Sequence, residues 1–360
     1  MASKKSPASR SPIRIGIVGI GRAGWGMHCP ELKGRADKFA IVAACDIDPA
    51  RRARMKETQG CATYANFADL VADKNVELVD IATLSPDHTP MALKALAAGK
   101  YVFLEKPIAL THKDALKLRA AAAKHPGKLF LRHNRRFETA FVHIREIIAS
   151  GILGNVYEIK LRRHGYQRRD DWQTLIGAGG GQLNNWGPHI IDHALQFLAS
   201  PVADIWSDLK KVAAVGDAED HLKIVLRGKN GRVVDLEISG GTAIPESEYI
   251  VFGSEGALTC SGNTITMKYL DPAHKLSPRR AKKQSPPMEG SFGNPDQLVW
   301  KEETLAAAPK VPCDTDSIWD HLHAAIRVGK KYPITIDEAV EVVRVVDLAK
   351  RGTKFATAKG

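Results

Sequence analysis

The sequence predicts an α/β fold in two parts. Residues 13–133 read as a doubly wound parallel sheet of Rossmann type, and residues 134–360 as an α+β domain with a largely antiparallel open sheet. Three observations carry this. First, apolar runs at 13–18, 40–45, 78–84, 101–104 and 128–132 alternate with helical stretches at 23–33, 49–57, 66–72, 88–98 and 112–124. Such alternation implies a parallel sheet covered on both faces. Second, the leading run enters a G-x-G-x-x-G turn at Gly19, Gly21 and Gly24. Third, the alternation stops after Arg136: an amphipathic helix from Ala140 to Ser150 is followed by strand-like segments at 155–164, 203–212, 219–227, 232–240, 247–253 and 257–269. Turns such as Lys229-Asn230-Gly231 suit antiparallel pairing. A helix near 187–199 interrupts these strands, and helices at about 314–328 and 336–350 close the chain.

Taken in order, residues 1–12 are basic and rich in Ser and Pro, with no apolar segment behind them, and read as a disordered tail. No apolar run approaches the ~20 residues of a membrane span. Five cysteines without C-x-x-C spacing suggest reduced thiols and a cytoplasmic protein. The formal charge of +12 raises the question of nucleic acid. Part of it lies in the tail and part in Arg279-Arg280-Ala281-Lys282-Lys283, a proline-flanked loop with no aromatic residue for base stacking, so a solvated connector is favoured and no nucleic-acid partner is expected.

The glycine turn carries the first chemistry. Gly19 makes the tight turn, Gly21 admits a pyrophosphate, and Gly24 lets helix pack on strand, with Arg22 and Ala23 completing the cradle. Phosphates would sit at the helix start, where free N–H groups and the dipole favour anions. The second strand ends at Asp46, the expected partner of an adenosine ribose hydroxyl. This selects NAD over NADP, since a carboxylate repels a 2′-phosphate, although Arg51 and Arg52 in the following helix soften the preference and leave NADP possible.

Tyr101-Val102-Phe103-Leu104 runs into Glu105-Lys106-Pro107 at the carboxyl end of a strand, where open parallel sheets bind ligands. Lys106 is therefore placed where nicotinamide and substrate would meet. The run Gly179-Gly180-Gly181 precedes Asn185, Pro188, His189 and Asp192. Pro188 suits a helix start, which puts His189 and Asp192 one turn apart on one face. Histidine suits proton exchange near neutrality. His189-x-x-Asp192-His193 also resembles an inverted zinc-hydrolase motif, but it has Asp for Glu and no evident third ligand, so no metal is assigned. Arg163, Tyr166, Arg169 and Trp172 crowd hydrogen-bonding and aromatic groups just before the glycine run, a mix able to grip a polyhydroxylated or anionic ring.

These residues resemble the glucose–fructose oxidoreductase, inositol dehydrogenase and rhizopine catabolism (Gfo/Idh/MocA) family. The resemblance rests on the glycine turn, Asp46, Ser85-Pro86-Asp87-His88, Ala98-Gly99-Lys100, Glu105-Lys106-Pro107, Asn134-Arg135-Arg136, Gly180-Gly181 and His189-x-x-Asp192, with Tyr332-Pro333-Ile334-Thr335 near the end. It implies an NAD(P)-dependent oxidoreductase of sugars, cyclic polyols or related alcohols, with Ser85, Pro86, His88 and Glu105 at the cofactor and Lys106 and His189 in catalysis. It also implies a homodimer or homotetramer formed through the second sheet. Many members carry an aspartate four residues before the histidine, where this chain has Asn185. A neutral amide cannot raise the histidine's proton affinity as a carboxylate does, so His189 should be less basic, with Asn185 orienting substrate. The expected reaction is reversible oxidation of a secondary ring alcohol, His189 taking the proton and Lys106 steadying the oxyanion. Two other functions remain open on the same fold: a glycoside hydrolase or lyase that oxidises its substrate transiently, and a non-catalytic nucleotide-binding regulator.

Overall fold

The computed structural model describes residues 11–281, 283–285, 288–289 and 296–356. The first half carries strands β1 (Ile13–Val18), β2 (Phe39–Cys45), β3 (Ala62–Tyr64), β4 (Leu78–Ile81), β5 (Tyr101–Leu104) and β6 (Leu129–Leu131). They form one parallel sheet in the order β3-β2-β1-β4-β5-β6, the doubly wound arrangement that the alternating pattern implies. Its helices are α1 (Cys29–Lys33), α2 (Pro49–Gln59), α3 (Phe67–Ala72), α4 (His88–Ala97) and α5 (His112–Lys124). A wide π turn, Gly24–His28, precedes α1. Ile13, Ile15, Ile17, Val79, Ile81, Phe103 and Leu104 are fully buried, as a sheet covered on both faces requires.

The second half opens with α6 (Thr139–Ser150) and β7 (Val156–His164), then α7 (Gln182–Asn185) and α8 (Gly187–Leu198). Strands β8 (Val202–Lys210), β9 (His221–Gly228), β10 (Val233–Ser239), β11 (Tyr249–Gly253), β12 (Gly256–Ser261), β13 (Thr264–Leu270) and β14 (Trp300–Ala306) follow. Helices α9 (Ser317–His323) and α10 (Ile336–Lys350) end the chain. The sheet order is β14-β13-β12-β11-β7-β10-β9-β8. Gly231, at φ +83°, turns β9 back onto β10 as an Asn-Gly pair does. Helices α8 and α10 cover one face, with Phe197, Leu198, Val345 and Val346 in the core. The last helix starts in a capping box, Thr335 with Glu338.

Several expectations need correction. The first sheet has a sixth strand, β3, three residues long and only partly buried. The strand expected at 78–84 ends at Ile81 because the chain turns into a 3₁₀ segment at Ser85–Asp87. The segment 257–269 is two strands, broken at Gly262 with φ +57°. Strand β14 is new: its residues are almost all exposed, so no apolar alternation marks it. The second sheet contains one parallel pair, β7 with β10, because β7 sits between later strands. Of the expected tail, residues 1–10 lie outside the described residues. The carbonyls of Ser11 and Pro12 accept from Arg327, so those two residues are held. In the basic loop, Lys282 lies outside the described residues and Arg279 pairs with Asp296.

Candidate active site

Each glycine of the first turn has its own steric reason. Gly19 has φ +87°, and a Cβ there would lie 2.6 Å from the Ala82 carbonyl oxygen. At Gly24 it would lie 2.2 Å from Gly19 O and 3.1 Å from Ile17, which is the helix-on-strand contact. Gly21 faces open space, with only Arg51 Nη1 at 3.8 Å. An open backbone between two crowded glycines is the cradle a pyrophosphate needs, so the residues present fit a dinucleotide. Arg22 is exposed on this turn and Ala23 half-buried. Asp46 is buried at the end of β2; its Oδ2 accepts from Ile20 N–H at 2.7 Å and its Oδ1 from Asp48 N–H at 2.9 Å.

At the strand ends, Glu105 and Lys106 point in opposite ways. Glu105 turns inward: Oε1 meets Arg132 Nη1 at 2.8 Å and His28 Nε2 at 3.1 Å, while Oε2 accepts from the Lys106 backbone N–H at 2.9 Å. Both oxygens of the Glu105 side chain are thus engaged beneath the site. His28 Nδ1 lies 2.7 Å from Asp80 Oδ2, and Arg132 also reaches Glu31. The His88 ring is buried, Nδ1 lying 2.7 Å from Pro107 O and Nε2 3.2 Å from Thr83 O, so it ties two loops together. Ser85 is buried and Pro86 exposed on the adjacent turn.

Lys106 crosses to the second half. Its Nζ donates to Asn185 O at 2.9 Å and to Asn185 Oδ1 at 3.4 Å. Gln173 Nε2 donates to the same Oδ1 at 3.2 Å, and Arg169 holds Gln173 and Asp171. With two donors on its oxygen, the Asn185 amide leaves its NH₂ to donate elsewhere. Burial lowers the Lys106 pKa; Glu105 opposes this, and Arg135, Arg132 and Arg169 add to it.

The glycine run makes room for this meeting: a Cβ on Gly179 would lie 2.9 Å from Leu110 and 3.5 Å from Pro86, both in the first half. Asn184 is held by the Gly179 and Gly180 carbonyls and by Lys350 Nζ, and Glu219 Oε1 accepts from Leu183 N–H at 2.9 Å. His189 follows one turn later, buried, its Nδ1 without a hydrogen-bond partner among the described residues. Burial, then the charges of Lys106 and Arg135, push its pKa well below the usual 6.5. That direction agrees with the expectation of a less basic histidine, and its causes are burial first and then the neighbouring cations.

The zinc-like residues have other partners. Asp192 forms a bidentate pair with Arg136, and Arg136 also reaches Glu338 at 3.1 Å. His193 stacks on Phe141 at 3.8 Å, with Nε2 at 2.8 Å from Arg135 O and Nδ1 at 3.4 Å from Tyr249 Oη.

A cleft of about 910 Å³ opens beside the site. Arg163 lines it, pairing with Glu138 at 3.0 Å and Glu248 at 3.1 Å, as do Arg135, Trp186 and Tyr249. Tyr166 and Trp172 are not among its lining residues; Tyr166 is exposed and bridges Gly241 through its backbone. Arg169 reaches the site only through Gln173. Sequence reasoning missed Gln173, Glu138, Trp186 and Tyr249, whose roles depend on contacts far along the chain. It also missed His28, whose place on the π turn beneath Glu105 only the fold brings out.

A nucleotide cradle at the strand ends, facing a lysine and a buried histidine from a second α+β half, defines an NAD-binding dehydrogenase or reductase. Comparison with known proteins agrees. Residues 13–133 match the oxidoreductase family with an NAD-binding Rossmann fold, and residues 141–259 match the GFO/IDH/MocA C-terminal domain. The chain belongs to the Gfo/Idh/MocA family of oxidoreductases. It is 27% identical over 353 residues to the uncharacterized oxidoreductase YdgJ of Escherichia coli, covering 95% of this chain and 96% of that protein. It is 24% identical over 352 residues to scyllo-inositol 2-dehydrogenase (NADP(+)) IolW of Bacillus subtilis, covering 95% and 94%. Among solved structures, GenD2 from gentamicin A biosynthesis in complex with NAD superposes with a TM-score of 0.74 at 22% identity, covering 98% and 96%. Among the described residues no helix is long and apolar enough to cross a membrane.

Proposed function

We propose that this oxidoreductase interconverts a secondary alcohol and a ketone on a sugar, cyclic polyol or related ring, with residues 13–133 holding NAD and residues 134–360 holding substrate. The single observation that carries the reading is the contact of Lys106 Nζ with Asn185, which joins the strand end beside the nucleotide cradle to the helix that leads into His189. NAD, bound with its pyrophosphate at Gly19–Gly24, supplies the hydride acceptor. The Lys106 ammonium donates to the substrate oxygen and steadies negative charge there. His189 is neutral at physiological pH, so its Nε2, the ring nitrogen that is not shut off by burial, accepts the hydroxyl proton as the carbon loses hydride. Asn185, its oxygen held by Lys106 and Gln173, donates its NH₂ to a neighbouring hydroxyl. The adjoining cleft presents Arg163 with Glu138 and Glu248, paired donors and acceptors of the kind a polyhydroxylated ring engages. The Bacillus subtilis relative, named for a cyclic polyol, supports the same class.

The test is a screen of sugars and cyclitols with NAD⁺, following reduced nicotinamide by absorbance, with Lys106→Ala as control. At least one ring alcohol should give reduction that the variant loses. Reduction undiminished in Lys106→Ala would overturn the assignment.

A further inference from the structure

Lys350, the last residue of α10, is only 5% exposed, although a lysine at a helix end ordinarily runs its stem along the surface and keeps its ammonium in water. Its Nζ turns inward and donates to Asn184 Oδ1 at 3.1 Å, its one hydrogen-bond partner among the described residues. Burial lowers its pKa, opposed by Glu219 and then Asp347. A buried amine with a single neutral acceptor recovers little of the hydration it gives up, so stability alone does not account for it. Asn184 is fully used in turn: its Nδ2 donates to Gly179 O at 3.1 Å and Gly180 O at 3.0 Å. From the other side, buried Glu219 accepts Gln182 N–H on its carbonyl at 3.0 Å and Leu183 N–H on Oε1 at 2.9 Å, and a Cβ on Gly181 would run into that carboxylate. Helix α7 is one turn long, too short to hold its own shape. Lys350 and Glu219 hold it, and its last residue is Asn185, whose carbonyl and amide oxygens receive Lys106 Nζ.

The same turn of α10 reaches the nucleotide half. Asp347 lies three residues before Lys350, a spacing that shares a helix face. Its Oδ2 accepts from His112 N–H at 2.7 Å, at the start of α5. That helix follows the loop 107–111 that leads away from Lys106. Leu110 of this loop lies against Gly179, where a Cβ would be 2.9 Å from Leu110 Cδ1. One turn of α10 therefore holds the chain on both sides of the Lys106–Asn185 contact.

We propose that the last turn of α10 is a brace for the active site, in which Lys350 is the positioning residue that sets Asn185 against Lys106 and Asp347 is its counterpart on the nucleotide half. The inference rests on the reading of Lys106 and Asn185 as parts of the reaction site. Lys350 acts through Asn184 on the placement of Asn185 and does no chemistry itself. Removing its amine leaves Asn184 Oδ1 without that donor and loosens the turn that carries Asn185, while the nucleotide cradle keeps all its own contacts.

Three variants of the full chain test this. Lys350→Met keeps the stem and removes the donor, and Lys350→Arg keeps a donor. Ser207→Ala is the control: Ser207 Oγ donates to Ala349 O at 2.9 Å, at the same helix end, without reaching Asn184. Amide hydrogen exchange read by mass spectrometry reports the placement without substrate. In Lys350→Met, peptides covering 179–186 should exchange about tenfold faster than in the parent, the worth of one hydrogen bond. Peptides of the first sheet should keep the parent's rate and NADH its dissociation constant within about twofold, which also reports that the variant is folded. With a ring alcohol in hand, kcat of Lys350→Met should fall about ten- to a hundredfold, as a small misplacement in the site does. KM for NAD⁺ should stay within about twofold, and Lys350→Arg should recover much of the lost kcat. Ser207→Ala should match the parent throughout. Exchange at 179–186 within about twofold of the parent in Lys350→Met, an equal rise in Ser207→Ala, or an undiminished kcat overturns the brace. So does a general loss of protection together with lost NADH binding, which would mark Lys350 as a folding residue. If no ring alcohol is oxidised by the parent, the exchange pattern still decides the brace, and only the reading of the reaction fails.

Discussion

Replacing His28 by glutamine tests the buried charge system on which Lys106 stands. His28 is fully buried, with Nδ1 2.7 Å from Asp80 and Nε2 3.1 Å from Glu105. Both ring nitrogens face carboxylates, so both donate and the ring is an imidazolium. Burial works against that charge, and so does Arg132; Asp80 and then Glu105 outweigh them and raise the pKa from 6.5 to about 9. Nearby, Glu31 balances Arg132, and the Cys29 thiol, pushed up by burial and Asp80, stays neutral. A folded pKa above the unfolded one means stabilisation that is complete below about pH 6.5 and lost as the pH passes about 9. At about 1.4 kcal/mol per unit the whole contribution is on the order of 3 kcal/mol, of which roughly 2 kcal/mol disappears between about pH 7.5 and pH 10. Glutamine can donate to only one of the two carboxylates and does not titrate. Urea midpoints of parent and variant should therefore differ strongly at pH 7.5 and converge by pH 10. Parallel pH dependences for the two proteins would refute a charged His28.

Two further outcomes concern the chemistry. His189→Ala should lower kcat about 10²–10⁴-fold, the usual worth of a general base, while the dissociation constant for NADH stays within twofold; unchanged turnover removes His189 from the reaction. Asn185→Asp places a carboxylate against Lys106 Nζ and near His189, and an adjacent opposite charge favours the protonated form of both. The acid limb of kcat/KM should move up by about one pH unit or more. A superimposable profile would show that position 185 does not tune the proton transfer.

How much of this the sequence revealed depends on range along the chain. The three glycines were legible because their G-x-G-x-x-G spacing falls within six consecutive residues, even though the backbone that crowds Gly19 is that of Ala82, far along the chain. Lys106 at a strand end and Asn185 ahead of His189 were legible as positions, since the strand and the helix start are local features. The partner of Glu105 was not: His28 is 77 residues away, on a π turn whose apolar spacing differs from an ordinary helix. Gln173 stands on a short 3₁₀ turn and becomes visible only once Asn185 lies beside it. The aromatics Tyr166 and Trp172 lie outside the residues that line the adjoining cleft. Density of polar and aromatic residues marks a loop, but which side faces the cleft is set by the pairing of Tyr166 with Gly241. Strand β14 escaped because an exposed edge has no buried face to impose alternation.

The substitution at position 185 acquires a meaning from the charges around it. Arg135, Arg132 and Arg169 all lower the Lys106 pKa, and Lys106 and Arg135 lower that of His189; Glu105, the carboxylate that opposes them at Lys106, is spent beneath the strand end on His28 and Arg132. With an amide at 185, this positive field has no carboxylate beside Lys106 Nζ to offset it. A weak base would transfer protons poorly from an ordinary alcohol, whose proton affinity is far higher. The same field acts on the substrate oxygen, however, and favours its alkoxide as strongly as it disfavours an imidazolium. The proposed mechanism then depends on lowering both proton affinities together, and a carboxylate at 185 would raise both. Its net effect on the rate at high pH, where His189 is neutral in either protein, therefore isolates the field on the alcohol from the basicity of the histidine.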